Sequence, residues 1–193
     1  MTKERQKTRA LNKFKKLEKH LLSLLGGEKR KVKIIRKIEK ETPKGGEKEG
    51  IFVKSFLCRV LFNYFRNSSI EVIIEGVNSE GRTQFKNKFL NSKPAVDFLF
   101  EKRPSGLFPV SHTILFPLET VGEVKYGDLN FRSFATGLGQ IIGYLKASQF
   151  EASPKIYGYY IFFNTDGDKT ITENDKKFLE ELWEKENIFV VII

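Results

Sequence analysis

Two almost uninterrupted apolar stretches near the end of the chain, Ile156–Phe163 and Ile188–Ile193, constrain the fold most strongly. Each has the length of a strand, and Ile156–Phe163 is the most strongly apolar segment of the sequence. Between them Thr172 opens a helix running to about residue 186, with Asp175 three positions on to complete a capping box. The alternation extends upstream. Residues 51–66 carry Phe52, Phe56, Val60 and Tyr64 at helical spacing, and Ile70–Glu75 reads as a strand through Val72, Ile73 and Ile74. Val96–Phe100 reads as a second strand, and Ile114–Tyr126 holds a third, bent near Pro117. Residues 131–148 read as a helix despite Gly137, Gly139 and Gly143, which are expected to permit close backbone approach. The order αβββαβ followed by αβ predicts an α/β fold, a mixed central sheet flanked by helices on both faces.

The 193 residues suit one well-packed domain with an appendage. With 40% hydrophobic and 30% charged residues, the chain is neither disordered nor collagenous. No apolar run approaches the ~20 residues that span a bilayer. The charged start, Met1-Thr2-Lys3-Glu4-Arg5, leads into no secretory h-region. Cys58 is alone and the histidines are two, His20 and His112, too few for a disulfide framework or a structural zinc site. The expected setting is a reducing cytoplasm with no membrane.

The net charge of +10 is unevenly placed. Residues 1–49 hold 17 Lys/Arg against 7 Asp/Glu, whereas residues 50–193 hold 17 of each. The boundary between a basic arm (1–49) and a neutral body (50–193) is expected in the Pro-, Gly- and charge-rich segment 42–50. Within the arm, Leu11, Phe14, Leu17 and Leu21 form an apolar stripe on a helix over 3–25, which Gly26-Gly27 stops. The stripe suits docking either on the chain's own body or on a twin subunit, giving a homodimer. Residues 28–41 fit a short strand or a further helical stretch. Such an arm is expected to bind DNA through its phosphates, with Lys13, Lys15, Lys16 and Lys19 facing the nucleic acid.

The candidate chemistry lies in the body. In Gly122-Glu123-Val124-Lys125 the alternation of a strand puts Glu123 and Lys125 on one sheet face and Val124 on the other. A simple ion pair would account for them. Upstream, however, Asp97 interrupts the apolar run Val96-Asp97-Phe98-Leu99-Phe100, where a carboxylate needs a partner, whether Lys125 or a divalent cation shared with Glu123. Downstream, Gln140 and Tyr144 stand four apart on one helical face, and Arg132 and Thr136 extend that polar stripe backward.

Asp97, then Glu123-x-Lys125, then Gln140-x-x-x-Tyr144, resembles the PD-(D/E)xK nuclease superfamily. The last element points to its RecB-like branch, and a junction-resolvase-like branch is the other reading. The likeness covers about 110 residues, 51 to 163, in the superfamily's αβββαβ order. Val96 stands where the signature has proline, with Pro94 close by. The resemblance implies a restriction-endonuclease-like core with a C-terminal αβ extension and the N-terminal basic helical arm. It also implies metal-dependent cleavage of DNA phosphodiesters. Asp97, Glu123 and the carbonyl of Val124 would hold Mg2+ or Mn2+, which prefer oxygen ligands. Lys125 would orient water and stabilise phosphoryl charge. Gln140 and Tyr144 would touch phosphate or fix Lys125, and Arg132 would contact DNA. A glutamate at the start of the first core helix would assist the metal, with Glu49 best placed and Glu47 behind it. Glu119 shares the sheet face of Glu123 by parity and is a second candidate.

Other signals carry less. Asn164, Asp166, Asp168, Thr170 and Asp175 partly mimic an EF-hand loop, but Lys169 replaces the turn glycine and a strand precedes it, so a strand-to-helix loop is expected. His112 reads as a loop residue. Phosphate-binding glycine loops, Ser-His-Asp groupings and dinucleotide fingerprints are missing from the sequence. The alternatives to a nuclease are a catalytically inactive nuclease-fold DNA-binding or assembly module and an RNA-binding protein led by its basic arm.

Overall fold

The computed structural model describes residues 2–42, 47–68, 70–74, 96–102, 119–150, 154–167 and 171–193. Pro94, His112, Pro117, Asp168, Lys169 and Thr170, named above, lie outside them. The described elements follow the expected order. Helices α1 (Lys3–Leu25) and α2 (Glu28–Glu41) precede α3 (Lys48–Phe52), a π-helical turn (Val53–Leu57) and α4 (Cys58–Phe65), which run on without a break. Then come β1 (Ile70–Ile74), β2 (Phe98–Lys102), β3 (Thr120–Gly127), α5 (Phe131–Ser148), β4 (Tyr157–Asn164), α6 (Glu173–Glu186) and β5 (Ile188–Ile192).

The five strands form one mixed sheet in the order β1-β2-β3-β4-β5. β1, β2 and β3 are antiparallel neighbours, and β3, β4 and β5 run parallel. The antiparallel half can be joined locally, whereas each parallel step needs a crossover, supplied by α5 and α6. Both crossover helices are capped by their own sequence. The Asn130 side chain accepts from the Ser133 amide at the start of α5, and Thr172 with Asp175 forms the expected capping box on α6.

Strand alternation sorts the side chains between two layers. One face carries Phe98, Phe100, Val124, Tyr159, Ile161, Phe163, Phe189 and Val191 and packs under α1, α2 and the α3–α4 helix. The other carries Tyr160, Phe162, Ile188 and Val190 under α5 and α6, with Val96, Leu99 and Val121 under the end of α5. Gly122 faces the first layer and lets the Phe98 ring lie against the strand, because a Cβ there would run into that ring.

The N-terminal region differs from the expected appendage. Phe14, Leu17 and Leu21 are fully buried, and Ile34 and Ile38 of α2 join the same apolar cluster as β4 and β5. Phe14 lies among Tyr157, Tyr159, Trp183 and Phe189, with ring centroids 5.1–5.9 Å away. The boundary expected at 49/50 falls inside α3. The stripe weighed above as a subunit contact is therefore occupied within the chain: burying each such side chain contributes roughly 1.5–3 kcal/mol, and the sheet supplies that cover. Segment 28–41, ambiguous in sequence, is a helix because Lys31, Ile34 and Ile38 share its inner side. No described helix is long and apolar enough to cross a membrane.

Candidate active site

The site grows out of a fork in the sheet. β2 pairs with β3 only through Phe98–Phe100 against Gly122–Thr120, while β3 continues beside β4 as far as Gly127 opposite Asn164. Beyond Gly122, no described strand pairs with the edge of β3 that faced β2. On a strand, the N–H and C=O of one residue point to the same neighbour, so the Val124 and Tyr126 amides face the gap and need acceptors. Two carboxylates provide them. The Val124 amide donates to Asp97 Oδ2 at 2.7 Å, and the Tyr126 amide donates to Glu49 Oε2 at 3.3 Å. By the same geometry the Val124 carbonyl points into the gap.

Glu49 is held there by its own helix. One turn along α3, Phe52 packs against Phe163 at 4.5 Å and Tyr126 at 5.9 Å between ring centroids, and Tyr126 stacks on Phe163 at 5.4 Å. This aromatic pile fixes α3 over the end of β3. Asp97 is placed by the late start of β2, being the last residue before the ladder begins.

Glu123 and Lys125 share the sheet face covered by α5. The Lys125 ammonium lies 2.8 Å from Glu123 Oε1 and 3.2 Å from Glu49 Oε1. Glu123 is almost wholly buried, its side chain 2% exposed. Burial pushes its pKa up to about 8; the neighbouring Asp97 charge adds to the rise, Lys125 opposes it, and Glu49 adds a smaller part. Burial alone would lower the pKa of Lys125, but the charges of Glu123 and Glu49 outweigh it and raise it. Lys125 is thus shared between Glu123 and Glu49, with the Asp97 carboxylate close enough to act on Glu123.

The close approach expected from the α5 glycines occurs at one of them. A Cβ on Gly137 would collide with the Tyr160 ring and hydroxyl and with the Lys125 side chain, so glycine lets α5 lie directly on the pair. Gly139 and Gly143 face open space. Tyr160, aligned with Glu123 across the β3–β4 ladder, donates from its hydroxyl to the Phe134 carbonyl at 3.1 Å. Its pKa is raised by burial and then by Glu123 and Glu49. The sequence reading missed Tyr160, because its place depends on the register between two strands separated by a helix. It named Asn164 only in the EF-hand comparison and missed its role: Oδ1 accepts from the Leu129 and Asp166 amides at 3.0 and 3.1 Å and ties the start of the β3–α5 connection to the end of β4.

A cavity of about 490 Å3 opens on the gap, lined by Glu47, Lys48, Glu49, Gly50, Val53, Lys54, Asp97 and Tyr126. Val53 and Lys54 belong to the π turn, a helix irregularity frequent at functional sites. Burial and the charge of Glu39 push the Tyr126 hydroxyl up to about 12.

The structure therefore brings together Glu49, Asp97, Glu123, Lys125 and the Val124 backbone. The other expected residues stand apart. Gln140 is exposed on α5, one turn beyond Gly137, and makes no side-chain hydrogen bond among the described residues. Tyr144 is half-buried against the apolar group of Val96, Leu99 and Val121. Arg132 is exposed in the first turn of α5. Glu119 precedes Glu123 by four positions, about 13 Å along the chain; its carbonyl accepts from the Ile156 and Tyr157 amides and its charge acts on the Tyr157 hydroxyl. Its parity with Glu123 does not bring it to the gap. Lys15, Lys16 and Lys19 are exposed on α1, while Lys13 is half-buried, its pKa lowered by burial and by Lys16.

Among the described residues, no three metal-ligating side chains converge as a ready-made cation site. The ammonium of Lys125 holds the position between Glu123 and Glu49. Compared with family models, curated proteins and solved structures, the chain matches none.

Proposed function

We propose that the protein is a metal-dependent DNA nuclease with a restriction-endonuclease-like core, acting on junctions or branches or in a restriction or repair role. The observation that carries this reading is the fork, where Asp97 and Glu49 accept from the Val124 and Tyr126 amides of β3 beside the Glu123–Lys125 pair. The donor set suits Mg2+ or Mn2+, since every donor is an oxygen, and burial together with the Asp97 charge raises the pKa of Glu123, which a cation there would offset. Asp97, Glu123 and the Val124 carbonyl would hold the ion, with Glu49 beside them. Bound there, it would polarise the phosphate and supply hydroxide near neutral pH. Lys125, kept charged by its two glutamates, presents ammonium protons to phosphoryl oxygens. α5 lies directly on Glu123 and Lys125 and keeps that side of the pair dry. Gln140, exposed one turn along, and Arg132, exposed at the start of α5, serve as phosphate contacts on this reading, with Tyr144 on the same row.

A second reading rests on the completeness of the internal bonding. Asp97, Glu49, Glu123 and Lys125 all have partners within the chain, as a polar plug in the fork of a catalytically inactive DNA-binding module would. Incubation with supercoiled, linear, single-stranded and four-way-junction DNA, in Mg2+ and in EDTA, separates the two. The nuclease reading expects cleavage of at least one substrate, dependent on Mg2+ and lost in Asp97→Ala. DNA binding without cleavage of any substrate selects the inactive module.

A further inference from the structure

The outer side of α2 is a row of cations. Lys31, Ile34 and Ile38 face inward, so the helical period puts Lys29, Lys33, Arg36 and Lys40 on the opposite side, and all four are exposed. They stand in line along about 16 Å of helix. Among the described residues none of the four has an ion-pair partner; the one pair on α2, Lys37 with Glu41, lies to the side. Like charges at three- and four-residue spacing destabilise a helix, and no contact within the described chain offsets that cost.

α2 also borders the candidate active site. Lys31 lies over the Phe163 ring at 6.0 Å and Lys37 over Phe56 at 5.3 Å, on the two sides of the α3 contact. Glu39 acts on Tyr126, which lines the cavity, and Lys48 and Lys54 stand on the cavity wall itself. α1 runs elsewhere, its Lys7 bonded to Glu184 and its Phe14 packed on Trp183. Of the two basic helices, α2 is therefore the one continuous with the site.

We propose that Lys29, Lys33, Arg36 and Lys40 form a track for the phosphate backbone of duplex DNA that leads to the cavity between α3 and β3. The binding step stands on the charge row alone; that the track delivers a scissile phosphate rests on the nuclease reading. A duplex fits better than a single strand. The row is straight and rigid, and duplex DNA offers one charge per about 1.7 Å of axis along it. α2 contains no aromatic residue on which unpaired bases could stack. Contacts of this kind fix orientation without reading sequence.

The test uses the full chain and a 25-base-pair duplex in EDTA, with fluorescence anisotropy followed from low to moderate salt. In K29E/K33E/R36E/K40E the slope of log affinity against log salt should fall by up to about 3.6, at about 0.9 per contact, and affinity should drop at least tenfold. K29Q/K33Q/R36Q/K40Q, which removes charge without reversing it, should show the same change in part, with unaltered circular dichroism. K15E/K16E/K19E on α1 should lose less. An unchanged slope in both α2 variants, or a larger loss from α1, overturns the track. So does a row needed for binding phosphatidylserine vesicles while duplex binding persists unaltered. The nuclease reading fails separately: normal duplex binding through α2 with no Mg2+-dependent cleavage leaves the track standing, and cleavage with an unchanged salt slope removes only the track.

Discussion

Phe14 and Glu123 are about equally buried on opposite faces of one sheet, and they do opposite things to it. Phe14 is surrounded by four aromatic rings, and its burial stabilises the fold. Glu123 is a carboxylate in a place that raises its pKa to about 8, paired with Lys125 and acted on by the Asp97 and Glu49 charges. An apolar side chain of similar size would cost the fold less there, since buried ion pairs are often no more stabilising than hydrophobic replacements. The aromatic side of the sheet is organised for stability. The fork under α5 keeps charge at a cost to stability, as expected where charge is needed for chemistry.

The largest expected separation of the two regions is in activity. Glu123→Ala should lower the single-turnover cleavage rate by at least about 10²–10³-fold, with DNA binding intact or tighter because a negative charge has gone. Phe14→Ala should leave the catalytic groups in place but cost roughly 3–5 kcal/mol in chemical denaturation. A Phe14→Ala protein as stable as the wild type would mean that α1 is an appendage after all. Gly137→Ala tests the seam between the regions. Its Cβ must displace Tyr160 or Lys125, so a loss of roughly 1–3 kcal/mol is expected, whereas Gly139→Ala, facing open space, should be neutral or stabilising.

A further difference is a pH dependence. Glu123 has a folded pKa of about 8 against an ordinary 4.5. The native state therefore binds up to one proton more than the unfolded chain between those values, and stability falls as pH rises from about 4.5 to about 8. Denaturation in EDTA across this window should show that slope, and Glu123→Gln should flatten it. A wild-type slope retained in Glu123→Gln would place the titration elsewhere.

What the sequence disclosed was local. The Thr172–Asp175 capping box and the 131–148 helix are written in neighbouring residues, and both stand as expected. Strand alternation was enough to put Glu123 and Lys125 side by side. It failed for Glu119, because parity fixes a face and not a position along it. The stripe on α1 was legible as an apolar face, but periodicity does not say what covers a face, and here the chain's own sheet does. Residues 28–41 were ambiguous because Val32, Ile34, Ile35 and Ile38 satisfy both periods over a short span. The bond from the Val124 amide to Asp97 follows from where β2 starts relative to β3, a property of strand register that spacing along the chain does not encode.

The nuclease proposal requires the charged group in the fork to cleave phosphodiesters and not merely to plug the gap. The most direct measurement is the single-turnover rate of Mg2+-dependent DNA cleavage at saturating protein, for the wild type and Asp97→Ala in parallel, on whichever DNA the wild type cuts. The rate should be lower by at least about 10²–10³-fold in Asp97→Ala, with the same DNA affinity and the same helical circular dichroism. Equal rates for the two proteins, or no Mg2+-dependent cleavage by the wild type on any DNA, would contradict it.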